Sequence, residues 1–321
     1  LRVPVVNGLM FPELRKDPIS GYTVLIAPGR SARPMTLTGA ESIHRPPRHR
    51  RSESAHCPFC PGNEHETPAP VMTSPSEGDW ELRIVPNKYP AVAPEEPGCV
   101  GGHDVIIPCR EHESSPSRLS PQSFRRMVRA WRDRIRQLSV DARLAHATMF
   151  MNVGAEAGAS LDHLHSQILA TPFVPEAMRR ELIGHTEWRS QHGGCWYCGT
   201  AANIVMVANG MKVVCPEASR FAFETWLIPE AHRSTFEAIS EGECNAFADA
   251  LRSTLIAIDA ELHEPAFNLY LHTAPFRHES DFHWHCEVIP RTARAAGFEW
   301  GAGVFINTVD PAAAAIRFRR E

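Results

Sequence analysis

The sequence predicts an α+β protein made of two fused, histidine-bearing units, each an antiparallel sheet with packed helices, and three observations carry that reading. Two Cys-x-x-Cys pairs, Cys57 with Cys60 and Cys195 with Cys198, each open a similar run of segments. His112 and His163 lie 51 positions apart, and so do His232 and His283. Strand-like and helix-like stretches then follow each pair in the same order, which argues for duplication of one α+β unit.

In the first unit, residues 80–86 and 104–108 read as strands and lead to His112, Ser114 and Ser115. Phe124, Met127, Val128 and Trp131 then recur at helical spacing, and residues 147–151 and 163–165 return to strands. In the second unit, residues 204–208, 213–214 and 225–229 read as strands leading to His232, Ser234 and Thr235. Phe247, Leu251 and Leu255 mark a helix, and residues 267–271 and 283–285 close the unit as strands. A helical stretch near 175–182 joins the two. The division predicted is a catalytic unit over 1–180 and a second unit over 181–321, with the proline- and arginine-rich segment 45–54 as a loop.

Composition narrows the function classes. The balance of 33 Lys+Arg against 37 Asp+Glu gives a net charge of -4, so neither a nucleic acid nor an anionic membrane is an expected partner. No apolar run approaches the roughly 20 residues that cross a bilayer, and a cytoplasmic protein is expected. Nine cysteines cannot all pair within one chain. Cys99, Cys109, Cys215, Cys244 and Cys286 stand singly and read as inert.

A Cys-x-x-Cys pair places two thiolates where one tetrahedral ion takes both, and Zn²⁺ needs two further N or S ligands. The repeat supplies them as Cys57, Cys60, His112 and His163 in one unit, and as Cys195, Cys198, His232 and His283 in the other. One or two structural zinc ions per chain are therefore expected. A local redox disulfide or unliganded thiols are the alternatives, and His285 competes with His283 as a ligand.

His163 and His165 are two apart on an expected strand and so share a face. A neutral imidazole attacks phosphorus when its other nitrogen holds the proton and an acceptor fixes that tautomer. His165 is the candidate nucleophile, and Gln167 on the same face is a donor to a phosphoryl oxygen that gains charge. The stretch 152–160 before them contains Gly154 and Gly158, which let backbone amides approach an anion, and ends in Ser160. The second unit has Glu287 where the first has Gln167, and a carboxylate there repels phosphate. One reaction centre per chain is expected.

At these residues the chain resembles the galactose-1-phosphate uridylyltransferase family of the histidine-triad superfamily, and within it the plant-type ADP-glucose phosphorylase branch. The likeness runs through Ala27-Pro-Gly-Arg30-Ser-Ala-Arg33-Pro34, Cys57-Pro-Phe-Cys60-Pro-Gly-Asn63-Glu64, Asn87-Lys-Tyr-Pro90, Gly102-His-Asp-Val-Ile106, the stretch 152–167, and Gly297-Phe-Glu299. It implies a zinc-holding homodimer that moves a nucleoside monophosphate between a nucleotide sugar and a sugar 1-phosphate, through a covalent adduct on His165. By position, Gln167 and Ser160 contact the phosphoryl groups, Asn152 and Arg33 the nucleotide and its phosphates, and Asn87 the ribose or base. Arg30 accompanies Arg33 at the substrate. Gly297, Phe298 and Glu299 match the segment that holds the sugar, supplied by the other subunit of a dimer. Leu164 and Ser166 replace the Pro and Gly common in the uridylyltransferase motif; Ser166 is placed among the substrate-binding residues by its motif position and resembles the phosphorylase branch, in which inorganic phosphate is the acceptor. A hydrolase and a non-catalytic nucleotide-sugar binding protein are the competing readings.

Overall fold

The computed structural model describes residues 12–32, 56–95, 100–278 and 281–319. Arg33, Cys99 and the segment 45–54 lie outside the described residues. A ten-stranded sheet dominates. In chain order its strands are β3 (Met72–Ser74), β4 (Leu82–Pro86), β5 (Gly102–Ile107), β6 (His146–Val153), β7 (Ser166–Thr171), β8 (Ile204–Ala208), β9 (Met211–Val214), β10 (Thr225–Pro229), β11 (Phe267–His272) and β12 (His285–Pro290). Their order across the sheet is β3-β4-β5-β7-β6-β11-β12-β10-β9-β8, with antiparallel neighbours throughout. Read outward from the β6–β11 seam, the order 6-7-5-4-3 mirrors 11-12-10-9-8. The duplication is thus one continuous sheet made of two five-stranded halves, joined where Asn152 pairs with Asn268.

Period-two alternation assigns each strand residue to a face. On β6, Ala147, Met149, Met151 and Val153 enter the large core, whereas Thr148, Phe150 and Asn152 point the other way. The core face is covered by α1 (Pro121–Leu138) and α4 (Glu241–Leu262), which pack on each other. Helix α1 buries Phe124, Met127, Val128, Trp131, Ile135 and Leu138, a 3.6-period stripe, and Ser120 caps it by accepting from Ser123 N–H at 3.1 Å. Helix α4 starts with a Ser240/Glu243 capping box.

The opposite face carries the histidine clusters and α2 (Glu176–His192), which runs into the short α3 (Trp196–Gly199). Helix α2 occupies the linker where a helix was expected and extends ten residues beyond 182. A second sheet of β1 (Glu13–Lys16), β2 (Thr23–Ile26) and β13 (Val304–Asn307) pairs β13 parallel to β2. It is flanked by α5 (Gly297–Ala302), and α6 (Pro311–Phe318) packs on α4. Most expected strands recur within two residues. The exceptions are His163, His165 and His283, which precede β7 and β12 rather than lying inside them.

Candidate active site and metal centres

Two clusters of Cys and His face away from the helical core. Cys60 Sγ lies 3.3 Å from His112 Nδ1 and 3.5 Å from His163 Nδ1, and Cys57 Sγ lies 3.6 Å from His163 Nδ1. In the second half Cys195 and Cys198 each lie 3.4 Å from His283 Nδ1, and Cys198 lies 3.4 Å from His232 Nδ1. Zn–S and Zn–N bonds of ordinary length make a tetrahedral S···N edge of about 3.5 Å, which these spacings match. In three of the four histidines the other ring nitrogen has a partner that leaves Nδ1 as the ligand atom. His163 Nε2 donates to Cys109 O (3.2 Å), His283 Nε2 to Pro229 O (2.9 Å), and His232 Nε2 to Asp281 Oδ1 (2.5 Å). Residues present therefore fit a tetrahedral Cys₂His₂ ion at each place.

The two centres are built alike. Leu164 N–H donates to Glu113 O (2.6 Å) and Trp284 N–H to Arg233 O (2.9 Å), tying each closing histidine segment to its partner loop. They differ in cover: Cys57 and Cys60 are buried, whereas Cys198 is exposed. Arg83 on β4 braces the first by donating to Pro58 O (2.8 Å) and Thr67 Oγ1 (3.0 Å), with its guanidinium 4.9 Å from the Trp80 ring centre.

His165 sits beside the first centre, 7% exposed, with the Phe59 ring 5.2 Å away. Its Nδ1 is 2.8 Å from the His163 carbonyl, which only accepts, so Nδ1 carries the proton and Nε2 keeps its lone pair. Burial lowers the pKa of His165, partly offset by that hydrogen bond. Gln167, on the same face, pairs with Val105 and Phe150. Asn87 Nδ2 is 3.4 Å from Gln167 Oε1, and Asn152 Oδ1 accepts from Asn268 Nδ2 at 2.7 Å.

Gly154 (φ 84°) and Gly158 (φ 85°) take left-handed backbone that side chains disfavour, as a tight turn requires. The amides of Ala157, Gly158 and Ala159 close onto Gly154 O and Ala155 O, so these three are engaged within the turn rather than held for an anion. Ser160 is exposed at its end, as is Arg30 on the turn after β2. Ser166 departs from expectation: strand parity turns it to the helical face, where it is fully buried and accepts from Trp131 Nε1 at 2.7 Å. Its side chain therefore faces α1, on the opposite side of the strand from Gln167. Gly297, Phe298 and Glu299 open α5 against β13, on the smaller sheet, with Phe298 half exposed and Glu299 capping the helix at Ala296 N–H (2.8 Å).

The equivalent place in the second half is filled. His285 Nδ1 lies 3.2 Å from His283 O, as in the first half, but its Nε2 faces Tyr197 Oη (3.5 Å), Glu287 (3.6 Å) and Glu181 (3.9 Å). Glu287 binds Arg220 and accepts from Tyr270 Oη (2.6 Å), and Glu181 binds His272 at 2.7 Å. Sequence reasoning missed Glu181, Arg220, Tyr270 and His272. They converge from α2, a loop and β11, and only Glu287 carried a local signal.

Fold and site together define a class: a nucleotidyltransferase-type enzyme of two histidine-triad-like halves. The chain belongs to the galactose-1-phosphate uridylyltransferase family, which its similarity to ADP-glucose phosphorylase and to uridylyltransferases establishes. A family model described as Domain of unknown function (DUF4921) matches residues 91–319. ADP-glucose phosphorylase of Arabidopsis thaliana is 30% identical, aligned over 94% of this chain and 90% of its own length. The galactose-1-phosphate uridylyltransferase of Thermotoga maritima is 25% identical over 96% and 98%. Among solved structures, an ADP-glucose phosphorylase from Arabidopsis thaliana with bound ADP-glucose superposes with TM-score 0.88 at 29% identity, over 97% and 99% of the two chains. A uridylyltransferase superposes with TM-score 0.76 at 27% identity, over 96% and 97%.

Proposed function

We propose that His165 carries the transferred nucleotide, and the observation that supports this most is the 2.8 Å hydrogen bond from its Nδ1–H to His163 O. In the first step Nε2 attacks the α-phosphorus of a nucleotide sugar. The P–N bond forms, the bond to the bridging oxygen breaks, and sugar 1-phosphate leaves with that electron pair. In the second step a phosphate oxygen of the acceptor attacks and the P–N bond breaks. Gln167 donates to a non-bridging oxygen as charge develops. Ser160, Arg30, Arg33, Asn87 and Asn152 bind the nucleotide and its phosphates.

The acceptor is either a sugar 1-phosphate, as in uridylyl transfer, or inorganic phosphate, as in phosphorolysis; relatives of both kinds align over nearly the whole chain. ADP-glucose and UDP-sugars are the donors to try. Residues 1–180 form the reacting unit, and 181–321 a degenerate one whose nucleotide place Arg220 and Glu287 occupy. Zinc in the two Cys₂His₂ sites is structural, holding loops together rather than touching substrate. A homodimer in which α5 of one copy serves the other's sugar site follows from the family resemblance, and sedimentation would give twice the 35.7 kDa chain mass.

Label exchange tests the double displacement. Labelled glucose 1-phosphate should enter nucleotide sugar without any other acceptor present, and absence of exchange would indicate direct transfer. Discharge by phosphate alone would identify a phosphorylase, by hexose 1-phosphate alone a transferase, and by water alone a hydrolase.

A further inference from the structure

Beside Gln167 stands a histidine with no role so far. His103 on β5 is two residues from Val105, which pairs with Gln167, so His103 and Gln167 are diagonal neighbours on one face. His103 Nε2 lies 2.8 Å from Gln167 Oε1, and Ala91 N–H donates to His103 Nδ1 at 3.1 Å. An amide nitrogen only donates, so Nδ1 is the acceptor and the proton of the neutral ring is on Nε2. That proton has Gln167 Oε1 as its acceptor. Asn87 Oδ1 accepts from Tyr89 N–H (2.9 Å), so its Nδ2 is a donor; it lies 3.2 Å from His103 Nε2 and 3.4 Å from Gln167 Oε1, and because Nε2 is protonated only the oxygen accepts from it. With both donors on Oε1, the carboxamide of Gln167 is fixed one way round: its carbonyl faces β5 and its NH₂ group is free to face the reacting phosphoryl oxygens.

We propose that His103 is a positioning residue that sets the amide orientation of Gln167, so that a donor rather than an acceptor meets the phosphoryl group. Without it, a half-turn of the amide would present Oε1, whose partial negative charge repels phosphate oxygens. The chain from Ala91 N–H through His103 to Gln167 makes the ring tautomer a consequence of backbone position, independent of substrate. The proposal rests on the donor role assigned to Gln167 above.

The experiment compares steady-state kcat and KM for Gln167→Ala, His103→Leu, His103→Gln and the double variant His103→Leu/Gln167→Ala, in the full chain. Thermal unfolding of each checks that it is folded. Gln167→Ala should lower kcat by about 10²-fold or more. His103→Leu should lower kcat by roughly tenfold with little change in KM, since misorientation affects the developing charge more than ground-state binding. His103→Gln keeps a donor at the place of Nε2 and should restore most of the lost kcat. The double variant should be no slower than Gln167→Ala. An unaffected Gln167→Ala would overturn the donor role itself. A slow Gln167→Ala with an unaffected His103→Leu, or with losses that add in the double variant, would overturn the positioning role while leaving the donor role standing. A His103→Leu chain that does not fold leaves the decision to His103→Gln together with Gln167→Ala, and a His103→Gln loss as large as that of Gln167→Ala would overturn the proposal.

Discussion

A single proton decides whether His165 acts as a nucleophile, and its location follows from one carbonyl. His163 O accepts from Nδ1–H, and burial opposes a second proton on the ring, so the imidazole meets phosphorus neutral with Nε2 unprotonated. Gln167→Ala leaves that nucleophile in place and removes a donor, so kcat should fall 10²- to 10³-fold with KM changed far less, as steady-state kinetics would record. An unchanged kcat would take Gln167 out of the mechanism. Strand parity explains what was legible at this scale. His165 and Gln167 were assigned to one face by period two, and the same parity, applied to Ser166, would have turned it toward Trp131. The resemblance placed Ser166 at substrate because it weighed motif position, whereas the fold weighs alternation.

Two elements show how buried ionisable groups couple to stability. His146, at the start of β6, donates from Nε2 to Thr273 O (3.2 Å) and accepts from Thr148 Oγ1 at Nδ1 (3.4 Å), so the neutral ring is fully engaged. Burial lowers its pKa from 6.5 to about 4; the Thr273 carbonyl opposes this, His272 adds to it, and Glu181 opposes it. Because the folded value is depressed, the unfolded chain binds the proton first. Stability is full above about pH 6.5 and is lost as the pH falls toward 4, by on the order of 3 kcal/mol. Denaturant unfolding at pH 7 and pH 5 should show a smaller difference for His146→Gln than for the unaltered chain, and equal differences would contradict the assignment. In the second half, burial alone would raise the pKa of Glu287, but Arg220 and then His272 outweigh it and hold it well below the ordinary carboxylate range. Glu287→Ala leaves Arg220 its pair with buried Glu224 (2.8 Å) but takes the acceptor from Tyr270 Oη, and a loss of roughly 1–3 kcal/mol in unfolding free energy is expected. Nucleotide binding in the second half of that variant would show that the ion pair excludes a ligand; its absence would make the pair purely structural.

Across the whole molecule, duplication was legible because it is written in local signals: two Cys-x-x-Cys pairs and histidines 51 positions apart in each copy. The spacing from each closing histidine to the carbonyl that accepts its Nε2–H repeats as well, at 54 residues in both halves. What sequence did not disclose is that the halves merge into one sheet across β6 and β11, since register between strands more than a hundred residues apart leaves no periodic trace. Glu181 and His272, which join His285 and Glu287 in one buried group, were invisible for the same reason. They look like a solvated helix residue and an ordinary strand position until the sheet gathers them. The two Cys₂His₂ sites also make a molecular prediction. Elemental analysis should return two zinc ions per chain, and a chelator should remove the one held by exposed Cys198 before the one held by buried Cys57 and Cys60. Simultaneous loss would mean that cover does not control release.

The most direct test of the account is the intact mass of the protein at neutral or alkaline pH after brief incubation with ADP-glucose or UDP-glucose and no acceptor. One added nucleoside monophosphate per chain is expected, absent in His165→Asn and discharged on adding phosphate or a hexose 1-phosphate. Turnover by His165→Asn at the rate of the unaltered chain, or an adduct that survives that substitution, would contradict the central claim that His165 carries the nucleotide.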